Sequence, residues 1–149
     1  MATNSPQKPR VFVDADVLFA GAASPSEHGT SLVILRLAEI TLIEALASEQ
    51  VIIEAERNLA DKLPAMLPTF RLIIDRCLDI VPNPAPEQLA PFVGLADPKD
   101  RPILAATVLN GCPWLVSFNV RHYRPGHPDV SVLPPGEFIR RVRYLLSAL

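Results

Sequence analysis

Short β-favouring runs recur along this chain, each separated from the next by a stretch with helical spacing, and that alternation constrains the fold more than any other feature. Val11, Phe12 and Val13 make the first run. Residues 29 to 40, GTSLVILRLAEI, carry apolar side chains three and four apart and predict a helix, and TLIEAL at 41 to 46 predicts a short strand. Ser48 stands where it would cap a helix over about 49 to 62; residues 65 to 78 predict another helix, and DIVP a brief strand of a second sheet. The last third predicts a helix over about 101 to 110, the strand WLVSF at 114 to 118 and a final helix over about 136 to 148. Strands joined through helices run parallel and are covered on both faces, so the expected class is α/β, a three-layer α/β/α sandwich around a central, mostly parallel sheet.

With 149 residues and 49% hydrophobic content, the chain is expected to form a single domain over 10 to 149, preceded by a polar, disordered tail over 1 to 9. Its sixteen prolines mark boundaries rather than low complexity: Pro25 in a Ser/Pro loop, Pro64 and Pro68 at a break, Pro82 to Pro91 in a connector, Pro134 and Pro135 before the last helix. A net charge of -2 gives no global attraction for nucleic acid, so such a partner would be held by a local patch. Cys77 and Cys112 lie apart in apolar surroundings, as buried free thiols do in a reducing compartment. The start carries no apolar signal core and no segment reaches the ~18 apolar residues that span a bilayer, so the expected location is cytoplasmic, without a membrane partner.

The chemistry begins where the first apolar run ends. VFVDADVLFAG delivers Asp14 and Asp16 at the carboxyl end of a strand, where open α/β sheets keep their ligands. A carboxylate beside so much apolar surface is costly unless a cation or hydrogen bonds compensate it, and a divalent metal suits clustered acids. In the helix after Ser48, Val51, Ala55, Leu59 and Leu63 define the buried stripe; Glu54 lies at its edge, in reach of a cleft or on a solvated flank, while Glu56 turns roughly 140° away toward solvent. ADPKDRPILAA brings Asp97 and Asp100 to the front of an apolar helix. There they either cap its orphan N–H groups or add Asp100 to a cluster with Asp14 and Glu54.

A third polar group follows the strand that ends at Phe118. Asn119 can bind a metal-bound water or a phosphate oxygen, or simply form the turn, and Arg121 and His122 can contact a polyanion. Arg124 and the Arg140, Arg141, Arg143 group are further cations, the last read as the solvated face of the terminal helix. His28 and His127 read as loop residues, and Glu44 as either an inward partner or an edge charge.

In order along the chain, VFVDADVLFAG, SEQVIIEAERNL, DPKDRPILAA and VSFNVRHYRPG resemble the four motifs of the PIN domain, in particular the VapC-like branch of toxin ribonucleases. The resemblance spans about residues 10 to 148. It implies a metal-dependent endoribonuclease in which Asp14, Glu54 and Asp100 match the principal acids, with Asp97 as a further metal ligand and Asn119, Arg121 and His122 on the substrate side. It also implies Mg²⁺ or Mn²⁺ as cofactor, RNA as substrate, an antitoxin protein as partner and a homodimer. Two positions depart from the usual pattern: Asp16 stands where many members carry Asn, an accessory charge at the site, and Asn119 where many carry Asp, which weakens a second metal site. Two rival readings remain open: a catalytically impaired PIN-like module that binds RNA or an antitoxin, and a haloacid-dehalogenase-like phosphatase using Asp14 as nucleophile.

Overall fold

The structure, a computed structural model, describes residues 8–23 and 29–147. Five strands, β1 (Arg10–Val13), β2 (Glu44–Ser48), β3 (Leu78–Val81), β4 (Trp114–Val116) and β5 (Ser131–Leu133), form one sheet in the order β3-β2-β1-β4-β5, every pair parallel. Six α-helices flank it: α1 (Ala15–Ala23), α2 (Thr30–Glu39), α3 (Glu49–Lys62), α4 (Leu67–Cys77), α5 (Arg101–Leu109) and α6 (Pro135–Ser147). This is the expected sandwich, with a sheet wholly rather than mostly parallel. The chain steps from β1 outward to β3, then returns to the far side of β1 to lay down β4. The order therefore reverses between β1 and β4, the crevice where such sheets bind ligands.

Burial follows from composition. Val11, Phe12 and Val13 are fully enclosed at the centre of the sheet, as are Leu115 and Val116 of β4. On α3 the stripe of Val51, Ala55 and Leu59 is buried, but Leu63 falls past the helix end and is 40% exposed. Gly21 lets α1 and α2 meet closely, since a Cβ there would lie 2.6 Å from Leu35 Cδ1.

Four elements differ from expectation. Helix α1 carries no clear polar and apolar period in the sequence because both its faces are largely apolar: Ala15, Val17, Leu18, Gly21 and Ala22 are buried on one side, and Phe19, Ala20 and Ala23 lie half-buried on the other. Strand β2 begins at Glu44 rather than 41, because residues 40 to 42 close α2: Thr41 adopts φ 65°, its N–H donates to Ala38 O, and Leu42 N–H donates to Leu37 O. That closure normally uses glycine at the Thr41 position, so the sequence conceals it. DIVP belongs not to a second sheet but to β3, the edge strand beside β2, where Asp79 and Ile80 are both exposed. Strand β5, three residues between proline-rich loops, had no sequence signal of its own. The expected tail lies largely outside the described residues, as do Pro25 and His28, while Pro9 offers its carbonyl to Glu44 N–H.

Candidate active site at the carboxyl edge of the sheet

Asp14 is the first residue past β1, and its N–H donates to Val116 O across the switch point. The residue is 7% exposed and its carboxylate is held at both oxygens: Oδ1 accepts from Ala15 N–H at 2.8 Å, and Oδ2 from the Tyr123 hydroxyl at 2.7 Å. Tyr123 is itself buried, and burial followed by the Asp14 charge pushes its phenol far above the ordinary range, so it remains a donor. No local pattern marks Tyr123, because its partner lies 109 residues away.

Two residues on, Asp16 points back across the crevice to β4. Its Oδ2 accepts from Asn119 Nδ2 at 3.0 Å, Phe118 N–H at 3.1 Å and Ser117 Oγ at 3.4 Å, while Oδ1 is buried without a hydrogen bond. Burial, then the neighbouring Asp14 charge, raises the Asp16 carboxyl to about 6. The side-chain amide nitrogen of Asn119 is thus engaged in orienting an acid.

Asp100 occupies the N-cap position of α5, and its backbone carbonyl accepts from Ile103 and Leu104 N–H groups, yet its side chain makes no capping bond. Capping therefore does not account for this carboxylate, which is buried with Oδ2 lacking a hydrogen-bond partner. Burial, then Asp14, raises its affinity for a proton; Lys99 and His122 act the other way. Asp97 is exposed and its N–H donates to His122 O at 2.8 Å, which ties the loop before α5 to the loop after β4. Asp97, Asp100 and His122 offer atoms all within 4.8 Å of one another, with His122 Nδ1 3.4 Å from Asp100 Oδ2.

Glu54 stands on the rim. It is exposed to solvent, lines a cleft of about 450 Å³ with Gln50, Ile53, Arg57, Asn58 and Asn83, and still feels the site. Partial burial, then Asp14 and Asp100, raise its carboxyl above the ordinary value. Asp14, Glu54 and Asp100 thus converge on one edge within electrostatic reach. The tightest group among the described residues, however, is Asp97, Asp100 and His122. Glu56 turns away from the site toward the surface, as expected, its side chain 46% exposed and 3.7 Å from the exposed Arg71 of α4. Arg121 and Arg124 are exposed near the site; Arg140, Arg141 and Arg143 lie on the exposed face of α6. His127 stays a loop residue, its Nδ1 accepting from Asp129 N–H and its ring against Phe92. Cys77 and Cys112 are free thiols, pushed up to about 11 by burial.

Among the described residues no lysine or arginine forms an ion pair with Asp14, Asp16, Glu54 or Asp100. Two buried carboxylate oxygens without hydrogen bonds, in a donor set made almost wholly of oxygen, fit a small hard dication.

An all-parallel α/β sandwich with acids gathered at its switch point defines the class. The sequence model of the PIN domain matches residues 10–121, and the chain belongs to that family, whose members are generally nucleases. No curated protein matches the sequence. Solved structures share the fold. VapBC2 from Rickettsia felis, bound to a DNA fragment from their promoter, superposes with a TM-score of 0.64 at 13% identity, over 83% of this chain and 96% of that one. PAE2754 from Pyrobaculum aerophilum gives 0.66 at 14%, over 91% and 96%. VapC20 from Mycobacterium tuberculosis, a sarcin-ricin loop cleaving toxin, gives 0.57 at 18%, over 80% and 98%. Among the described residues no helix is long and apolar enough to cross a membrane.

Proposed function

We propose that this protein is a metal-dependent endoribonuclease, acting in the cytoplasm as the toxin of a toxin-antitoxin pair. The observation that carries the reading is the gathering of Asp14, Glu54, Asp97 and Asp100 at one sheet edge with no lysine or arginine paired to the central acids among the described residues. Mg²⁺ or Mn²⁺ is the cofactor, and Asp14, Glu54, Asp100 and Asp97 are the residues that would hold it. When bound, such an ion supplies a water deprotonated near neutral pH and positive charge against a phosphodiester.

The chain's own groups do the rest. Tyr123 and Ala15 N–H fix the Asp14 carboxylate in one orientation, so the site is arranged before any ligand arrives. Asn119 and Ser117 hold Asp16 across the crevice from Asp14 and keep a second negative charge close by. Exposed Arg121 is free to meet the RNA backbone, which suits a chain with no global positive charge. Membership of the PIN family over residues 10–121 speaks against the phosphatase reading. RNA as substrate and an antitoxin as partner are carried over from the cleaving toxin and the VapBC complex that share this fold, and a homodimer belongs to the same reading.

The test is incubation of the purified chain with structured RNA, with and without Mn²⁺, beside Asp14→Asn and Asp100→Asn. Cleavage that needs metal and disappears in both variants is expected. Intact RNA bound with equal affinity by the native chain and Asp14→Asn would instead identify a binding module.

A further inference from the structure

We propose that His122 is a nitrogen ligand of the dication site, completing with Asp97 and Asp100 a mixed oxygen and nitrogen set that favours Mn²⁺ over Mg²⁺. The inference rests on the metal-dependent reading above and concerns which ion that site selects.

Three observations converge. Two donors of one small dication, each about 2.1 Å from it and separated by roughly 90–110°, stand about 3.0–3.4 Å apart. His122 Nδ1 and Asp100 Oδ2 are 3.4 Å apart, and Asp97 offers an oxygen within 4.8 Å of both. Second, Asp100 Oδ2 is buried without a hydrogen bond and Asp100 as a whole is only 9% exposed, so the carboxylate is directed into this cluster rather than used on the helix end. A buried, unmade hydrogen bond is unfavourable and is relieved by a ligand placed there. Third, the imidazole is presented by a pinned backbone: His122 N–H donates to Asn119 O at 3.0 Å, and His122 O accepts from Asp97 N–H at 2.8 Å. The second of these bonds joins the two loops that carry the three donors.

The selectivity follows from ligand chemistry. Mg²⁺ demands near-ideal octahedral oxygen coordination and gives up its waters reluctantly, whereas Mn²⁺ accepts the same carboxylates and also imidazole nitrogen. A histidine where an all-oxygen site would use another carboxylate shifts the balance toward Mn²⁺. The competing account is a simple ion pair, a protonated His122 resting against Asp100 with no metal bond.

Electron spin-echo spectroscopy of the full chain loaded with Mn²⁺ separates the two. The native protein should show nitrogen hyperfine coupling to the bound ion. His122→Asp should bind Mn²⁺ through the added carboxylate but lose that coupling, and His122→Gln should lose it as well. In calorimetric competition the ratio of Mn²⁺ to Mg²⁺ affinity should fall about tenfold in His122→Asp, as expected when a nitrogen donor becomes oxygen. Bound Mn²⁺ without nitrogen coupling in the native protein, or coupling that persists in both variants, overturns this assignment and leaves the metal-dependent reading standing. No Mn²⁺ uptake by the native protein overturns both.

Discussion

The two ends of the same sheet treat charge in opposite ways. At the amino edge, Arg10 opens β1 and Glu44 opens β2, side by side in register, and they meet at 2.7 Å; the remaining arm of Arg10 donates to Asn110 O at 2.9 Å, where α5 ends. At the carboxyl edge, Asp14, Asp16 and Asp100 gather with Glu54 beside them, and burial and mutual repulsion raise Asp16, Glu54 and Asp100 above their ordinary values. One edge neutralises its acid within the fold. The other leaves negative charge for something outside the chain to neutralise, and such uncompensated clusters mark functional sites rather than structural ones.

The contrast can be broken by changing one edge at a time. The largest expected effect is on Asp14→Asn, which should lower metal-dependent RNA cleavage by more than about 100-fold, beyond the range usual for residues that only support a ligand. Cleavage assays under saturating Mn²⁺ check this. Tyr123→Phe keeps the ring and removes the hydroxyl that holds Asp14 Oδ2, so a loss of about 10-fold in Mn²⁺ affinity or rate is expected, read by calorimetry and initial rates.

The acid edge should also leave a signature in stability. Asp16 titrates at about 6 in the folded chain against 3.8 when unperturbed, and Glu54 and Asp100 are raised as well. Between those values the native state binds more protons than the unfolded state, so stability falls as pH rises through that window and stays low above it. Without metal, the thermal midpoint should therefore be higher near pH 5 than near pH 7.5, and Asp100→Asn should flatten the difference; a midpoint that climbs from pH 5 to 7.5 would contradict the repulsion. The smallest effect belongs to the amino edge. Arg10→Met breaks a pair whose side chains are 37% and 41% exposed, so it should cost about 1 kcal/mol, a midpoint shift of about 2–4 °C, and leave cleavage unchanged.

Fold and site differed in how far the residues announced them. Helices with one buried stripe, such as α3, and strands enclosed on both faces, such as β1 and β4, declare themselves through period and composition. Helix α1 did not, because the half-buried face opposite its buried one is also largely apolar, and the start of β2 was hidden by a helix closure that uses Thr41 in place of glycine. Among site residues, Asp14 and Asp100 were legible from their position at the ends of apolar elements. Tyr123 was not, since a tyrosine in a loop shows nothing of a carboxylate 109 residues earlier, and His122 could be read as a cation for RNA until the Asp97 N–H bond brought two loops together. Local pattern reveals which residues stand at an edge; only the closed chain shows which of them face one another.

The central claim, that the carboxyl edge is completed by a dication, is tested most directly by the thermal midpoint at pH 7.5 with and without Mn²⁺, in the native chain and in Asp14→Asn. A ligand that binds only the folded state raises stability by about 2.7 kcal/mol at a hundred times its dissociation constant. The account predicts a clear rise for the native protein and almost none for Asp14→Asn. Equal shifts in the two proteins, or none in either, would contradict it.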